Sequence, residues 1–86
     1  MNPEEIINYP LMTESASIMV EKDNKLIFIV NLKAGKSDVK KAVEELYEIK
    51  VDKITTLITP QGQKKAFVKL KPEFKASDVA IKLGIL

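Results

Sequence analysis

No cysteine, histidine, tryptophan or arginine occurs among the 86 residues. Each absence excludes a class of chemistry. Without cysteine there are no disulfides, thiolate zinc sites or cysteine nucleophiles. Without histidine the usual general base near neutral pH and the commonest metal ligand are gone. Without arginine there is no bidentate clamp for phosphate or carboxylate. The longest apolar run, Leu26–Val30, is far short of the roughly 18 residues a membrane span needs. The start, Met1-Asn2-Pro3-Glu4-Glu5, is acidic and lacks the basic and apolar regions of a signal peptide. Together these absences predict a cytoplasmic binding or structural module that is not an enzyme, uses no cofactor or metal and does not insert in a membrane.

What is present suits one small domain over residues 1–86. Hydrophobic residues make up 45% and charged residues 30%, which is globular rather than disordered composition. Net charge is +2, with lysine the sole basic residue. The charge is unevenly placed. Residues 1–48 carry 6 lysines against 9 acids, and residues 49–86 carry 8 lysines against 3 acids. Two readings stand beside each other: a surface for an anionic partner, or solvated charges scattered over the exterior.

The order of elements is legible from periodicity. Residues 1–12 read as turn-like, with Ile6-Ile7 able to add a short edge strand. Thr13 is a candidate N-cap for a helix to about Lys22, with Ala16, Met19 and Val20 as its buried stripe. Lys25–Leu32 reads as a strand covered on both faces, because its centre is continuously apolar. In the following Lys33–Lys36 loop, Gly35 is expected to supply permissive dihedrals. Ser37 is expected to cap a second helix whose stripe is Val39, Ala42, Val43, Leu46 and Tyr47. Lys50–Thr59 and Lys64–Lys71 form a hairpin around Gly62. Ser77 is expected to cap a last helix carrying Val79, Ala80 and Leu83, with Gly84 closing it. A strand–helix–strand unit followed at once by an antiparallel return implies a split βαβ, with the returning strand between the two parallel ones.

Three constellations carry potential chemistry. Lys33, Lys36 and Lys40, then Lys50 and Lys53, then Lys64, Lys65, Lys69 and Lys71 read as a broken basic surface for a nucleic-acid backbone. The alternative is a set of solubilising lysines that deter edge pairing. Phe67 alternates with Lys65 and Lys69; it either stacks on a base or is buried under the helix that starts at Thr13, and burial is the expectation. Lys33-Ala34-Gly35-Lys36-Ser37 lacks the upstream glycine of a phosphate loop, since position 30 is Val30. Glu44, Glu45 and Glu48 read as a solvated face paired with Lys40 and Lys41. A small hydrolase of this fold is disfavoured by the missing histidine, cysteine and arginine.

Five motifs in order resemble one family. Tyr9-Pro10-Leu11-Met12-Thr13-Glu14-Ser15 resembles the Pro-x-x-Thr-Glu-Lys opening of ribosomal protein L23. Asn24 to Val30 is similar to its Asn-x-x-x-Phe-x-Val strand, and Lys33 to Lys36 with Val39 to Glu44 to its Ala-x-Lys…Ile-Lys-x-Ala-Val-Glu helix. Val51 to Thr56 resembles its Val-x-x-Val-Asn-Thr strand, and Gly62 to Leu70 its Gly-x-Lys-Lys-Ala-x-Val-x-Leu strand. Ser15 stands where the family usually has Lys, and Thr55 where it often has Asn. The resemblance implies an α+β fold: a ferredoxin-like split βαβ sandwich with a small, mostly antiparallel sheet of three to four strands and three helices. It implies a constituent of the large ribosomal subunit near the polypeptide exit tunnel. Its partners would be large-subunit ribosomal RNA, neighbouring ribosomal proteins, and signal recognition particle or a translocon. Carried over by position, RNA contacts would come from Asn24, Lys25, Lys33, Lys36, Lys40, Thr56, Lys64 and Lys65, with Lys53 added from the basic surface. Glu14 would serve factor docking. The short turn at Gly62 and the ending Lys82-Leu83-Gly84-Ile85-Leu86 resemble the archaeal form. The rival reading is a non-ribosomal protein-interaction module of the same fold.

Overall fold

The computed structural model describes residues 2–84. Its elements are α1 (Pro3–Ile6), β1 (Ile7–Pro10), α2 (Glu14–Lys22), β2 (Lys25–Val30), α3 (Lys36–Tyr47), β3 (Val51–Ile58), β4 (Lys64–Leu70) and α4 (Ala76–Lys82). The four strands form one sheet in the order β1-β2-β4-β3, and every neighbouring pair is antiparallel. β2 and β3 therefore run parallel to each other, with β4 between them, as the split βαβ reading requires. The fold is α+β and ferredoxin-like in outline. The strand beside β2, which a ferredoxin-like chain draws from its C-terminal end, comes here from the N-terminal side as β1.

Alternation divides the sheet into two faces. Leu26, Phe28 and Val30 of β2, Ala66, Val68 and Leu70 of β4, and Val51 and Ile54 of β3 enter the main core. They meet Val20 of α2, Val39, Ala42 and Val43 of α3, and Ala76, Val79 and Ala80 of α4. Phe28 is fully buried and stacks on Tyr47, ring centroids 5.6 Å apart and planes 12° from parallel. Burying a side chain of that size contributes about 1.5–3 kcal/mol. The same burial pushes the Tyr47 phenol above its ordinary pKa.

Several local expectations change. The N-terminal stretch contains a helical turn, α1, with Pro3 at its first position and Asn2 as N-cap. The edge strand begins at Ile7, after that turn. Thr13 caps α2, its hydroxyl accepting from the Ala16 N–H at 3.1 Å. Ser37 does not cap α3. Gly35 is the N-cap, in ordinary extended backbone (φ −88°), and the Asp38 carboxylate accepts from the Gly35 N–H at 3.0 Å. Gly35 thus needs no glycine-specific dihedral. Ser77 does not cap α4 either, because Lys75 occupies that position and its side chain makes no capping bond. Leu46, expected in the α3 stripe, is exposed, while Tyr47 packs on the core. Gly62 does take positive φ (+83°) in the hairpin turn, and Gly84 does so after α4 (+75°). Ile85 and Leu86, part of the archaeal-like ending, lie outside the described residues.

Candidate nucleic-acid interface

The face opposite the main core carries the odd set of side chains. On β4 these are Lys65, Phe67 and Lys69, flanked by Ala66, Val68 and Leu70, which point into the core. Cross-strand register fixes their neighbours. Lys25 of β2 lies opposite Lys69, and Lys53 of β3 lies opposite Lys69 from the other side. Ile27 and Thr55 flank Phe67, and Ile29 and Leu57 flank Lys65. Tyr9 of β1 follows beyond Ile29.

Two physical features stand out. Lys25, Lys69 and Lys53 form a row of three like charges across three strands. Directly opposed like charges destabilise a sheet; Asp52 stands exposed beside Lys53 at the β3 bulge, and its single negative charge leaves the group net positive. The row therefore favours an anionic partner laid across it. Beside the row sits Phe67. Contrary to the expected burial beneath a helix, this ring is half-buried and outside the main core cluster. The face is also graded. Ile27 and Ile29 on the β2 side are buried, whereas Lys53, Thr55, Leu57 and Lys69 towards the β3 edge are exposed.

A bulge sets this arrangement. The β3–β4 register shifts between Val51 and Lys53, where Asp52 is the extra residue. Without that shift the strict alternation of β3 would place Val51 and Lys53 on one face. The bulge lets Val51 enter the core while Lys53 joins Lys69.

The remaining candidates do not all gather here. Lys64 reaches the other way, and its Nζ donates to the Ala34 carbonyl in the loop before α3. That bond brings the hairpin to the start of α3, where Lys33, Lys36 and Lys40 are exposed. Thr56 pairs with Ala66 and so falls on the main-core face, half-buried near the free edge of β3. Asn24 is occupied by the protein itself. Its Nδ2 donates to the Phe74 carbonyl at 2.8 Å and to the Leu70 carbonyl at 3.4 Å, and its Oδ1 accepts from the Ala76 N–H at 2.7 Å. Both ends of the amide are committed, so Asn24 holds α4 and is not free for a ligand. Glu14 is exposed in the first turn of α2, an element that carries none of these candidate lysines.

Glu44 also departs from the solvated, paired reading. One of its carboxylate oxygens accepts from the Val51 N–H at 2.9 Å, tying α3 to the start of β3. Among the described residues no cluster of acids could hold a metal ion, and no helix is long and apolar enough to cross a membrane.

Residues 5–83 match the family model described as Ribosomal protein L23. The chain belongs to the ribosomal protein L23 family. It is thus a ribosomal protein of the large subunit, from a structural family. Two parts of the site were not legible as such in the family motifs. Lys69 belongs to the basic surface but matches no family contact position, and only the register exposes its place between Lys25 and Lys53. A cleft at the other end of the sheet, walled by Tyr9 and Gln63, rests on a contact between residues 54 apart in sequence, which no local pattern announces.

Proposed function

We propose that this L23-family chain binds large-subunit ribosomal RNA through two lysine groups, one on the sheet face and one at its end. Lys25, Lys53, Lys65 and Lys69 form the first, and Lys33, Lys36, Lys40 and Lys64 the second. The observation that carries the proposal is the Lys25–Lys69–Lys53 row, a repulsive arrangement that phosphate would relieve. Lysine without arginine provides point charges rather than bidentate readout, so recognition rests on backbone and shape. The molecule then acts as a scaffold beside the exit tunnel, in contact with neighbouring ribosomal proteins, and performs no catalysis.

Two finer readings accompany it. The hairpin turn is short and closed, with Thr59 N–H donating to Gln63 O at 2.8 Å and Gly62 N–H to Thr59 O at 2.9 Å. This supports an archaeal-type member that does not extend a loop into the tunnel. Glu14 stands exposed where a docking factor such as signal recognition particle would meet α2. A non-ribosomal interaction module of the same fold remains the rival reading and predicts no RNA preference. The test is titration of the protein against large-subunit RNA fragments and bulk RNA at two salt concentrations. Specific, salt-sensitive binding supports the proposal, and equal affinity for bulk RNA contradicts it.

A further inference from the structure

At the end of the sheet where β2 finishes and β4 begins lies an open cleft of about 410 Å³. That is within the roughly 300–1,000 Å³ of small-ligand sites. Ile29, Val30 and Leu32 supply its apolar part, and Tyr9, Asn31, Lys33, Gln63 and Lys64 its polar part. Among the described residues no acid lines it. We propose that this cleft receives a single unpaired nucleotide of the bound RNA, with the Tyr9 ring as its stacking wall and Lys33 and Lys64 at its phosphate. The inference rests on the RNA-binding reading and adds to it a specific nucleotide pocket.

The hydrogen-bond inventory of the cleft fits this occupant. Gln63 Nε2 donates to the Tyr9 hydroxyl oxygen at 2.9 Å. The bond braces the hairpin turn against the edge strand and holds the ring, while the hydroxyl proton stays available as a donor. Asn31 Oδ1 accepts from the Lys33 N–H at 2.9 Å, so its amide N–H groups are the part left to offer. Lys64 gives one of its three ammonium protons to the Ala34 carbonyl, keeping two. The cleft thus presents an aromatic wall that is 45% exposed, several donors and two positive charges. A nucleotide presents the complement: a flat base, acceptors on its edge and an anionic phosphate. Stacking on aromatic side chains is how proteins hold splayed single-stranded bases. A base inside a helix is already stacked and paired, so the pocket selects an extruded one.

The experiment compares a short, fully matched RNA duplex with the same duplex carrying one unpaired adenosine. Affinities are measured for the wild-type chain, Tyr9→Leu, Tyr9→Phe and the Lys25→Gln/Lys53→Gln/Lys69→Gln triple variant. Circular dichroism checks that each is folded. The expected result is about tenfold tighter binding to the bulged duplex by the wild type. Tyr9→Leu removes the preference without weakening matched-duplex binding, and Tyr9→Phe keeps most of it. The triple variant weakens both RNAs. No preference in the wild type, or a preference that survives Tyr9→Leu, overturns the pocket. If the triple variant still loses affinity in that case, the lysine interface stands and the cleft alone is wrong. If the triple variant binds both RNAs as the wild type does, the interface reading itself fails. Displacement of a single-stranded oligonucleotide by an equal concentration of hexaglutamate would also overturn the pocket, since an acidic peptide would then be the better-fitting occupant.

Discussion

The side-chain oxygen of Asn24 accepts from the Ala76 N–H at 2.7 Å, across 52 residues of sequence. It fills the capping role at α4 that Lys75, the local N-cap residue, leaves empty. The same side chain donates to the Phe74 carbonyl. Its backbone sits in the left-handed region, with φ of 55°, which Asn tolerates better than most residues.

Asn24→Ala should therefore cost about 3 kcal/mol, combining a lost cap, a lost hydrogen bond and left-handed strain. Asn24→Gly keeps the backbone geometry and should cost about 2 kcal/mol. Urea unfolding of both variants checks the order. RNA affinity of the folded Asn24→Gly protein should match the wild type. A selective loss of RNA binding at full stability would return Asn24 to the interface.

Glu48 ends α3 with φ of 54°, a conformation that costs a non-glycine residue roughly 1–2 kcal/mol. Glu48→Gly removes that strain. The melting temperature should rise by about 4–8 °C for each kcal/mol gained. An unchanged or lower midpoint would show that the Glu48 side chain repays its strain through contacts.

Tyr47 carries a pH prediction. Burial against Phe28 raises its folded-state pKa above the unfolded value, so the folded state resists its ionisation. The associated stability is complete below about pH 10, the ordinary tyrosine value, and is lost as pH rises through the higher folded-state pKa. Tyr47→Phe should follow the wild type at neutral pH and lose less stability in alkali. Parallel stability curves for the two proteins up to strongly alkaline pH would contradict this.

Lys64 and Lys65 are adjacent in sequence and opposite in role. Lys64 is bonded to the Ala34 carbonyl, whereas Lys65 stands on the outer face opposite Ile29 and Leu57. Lys65→Glu should weaken RNA binding with little change in thermal unfolding. Lys64→Glu should lower both, since it replaces a donor with an acceptor beside a carbonyl. Thermal melts and RNA titrations of the two single variants separate these roles.

Much of this was readable beforehand from local pattern. The α3 stripe, the alternation of β4 and the Thr13 cap are short-range signals, and signals of this kind suffice for α2, β2, α3, β3, β4 and α4 and for the place of β4 between β2 and β3. The misread points share a different physics. Ser37 and Ser77 looked like caps by residue type, but α3 begins one residue before Ser37, capped through Asp38, and α4 takes its cap from Asn24 far along the chain. The α1 turn was obscured because Pro3 reads equally as turn or first helical residue. For the interface, composition gave the lysines and motif order gave the family. Only cross-strand register, reset by the bulge at Asp52, could place Lys25, Lys69 and Lys53 side by side and turn Lys64 away.

That lysine row is the centre of the functional account, and the salt dependence of RNA binding tests it most directly. Binding of a large-subunit RNA fragment is measured over a range of salt for the wild type and for Lys25→Gln/Lys53→Gln/Lys69→Gln. The slope of log affinity against log salt should fall by about 2–3, close to one per phosphate contact removed. The triple variant should be at least as stable as the wild type at low salt, gaining about 0.5 kcal/mol from relieved repulsion. An unchanged slope and affinity in a folded triple variant would contradict the assignment of this face to RNA.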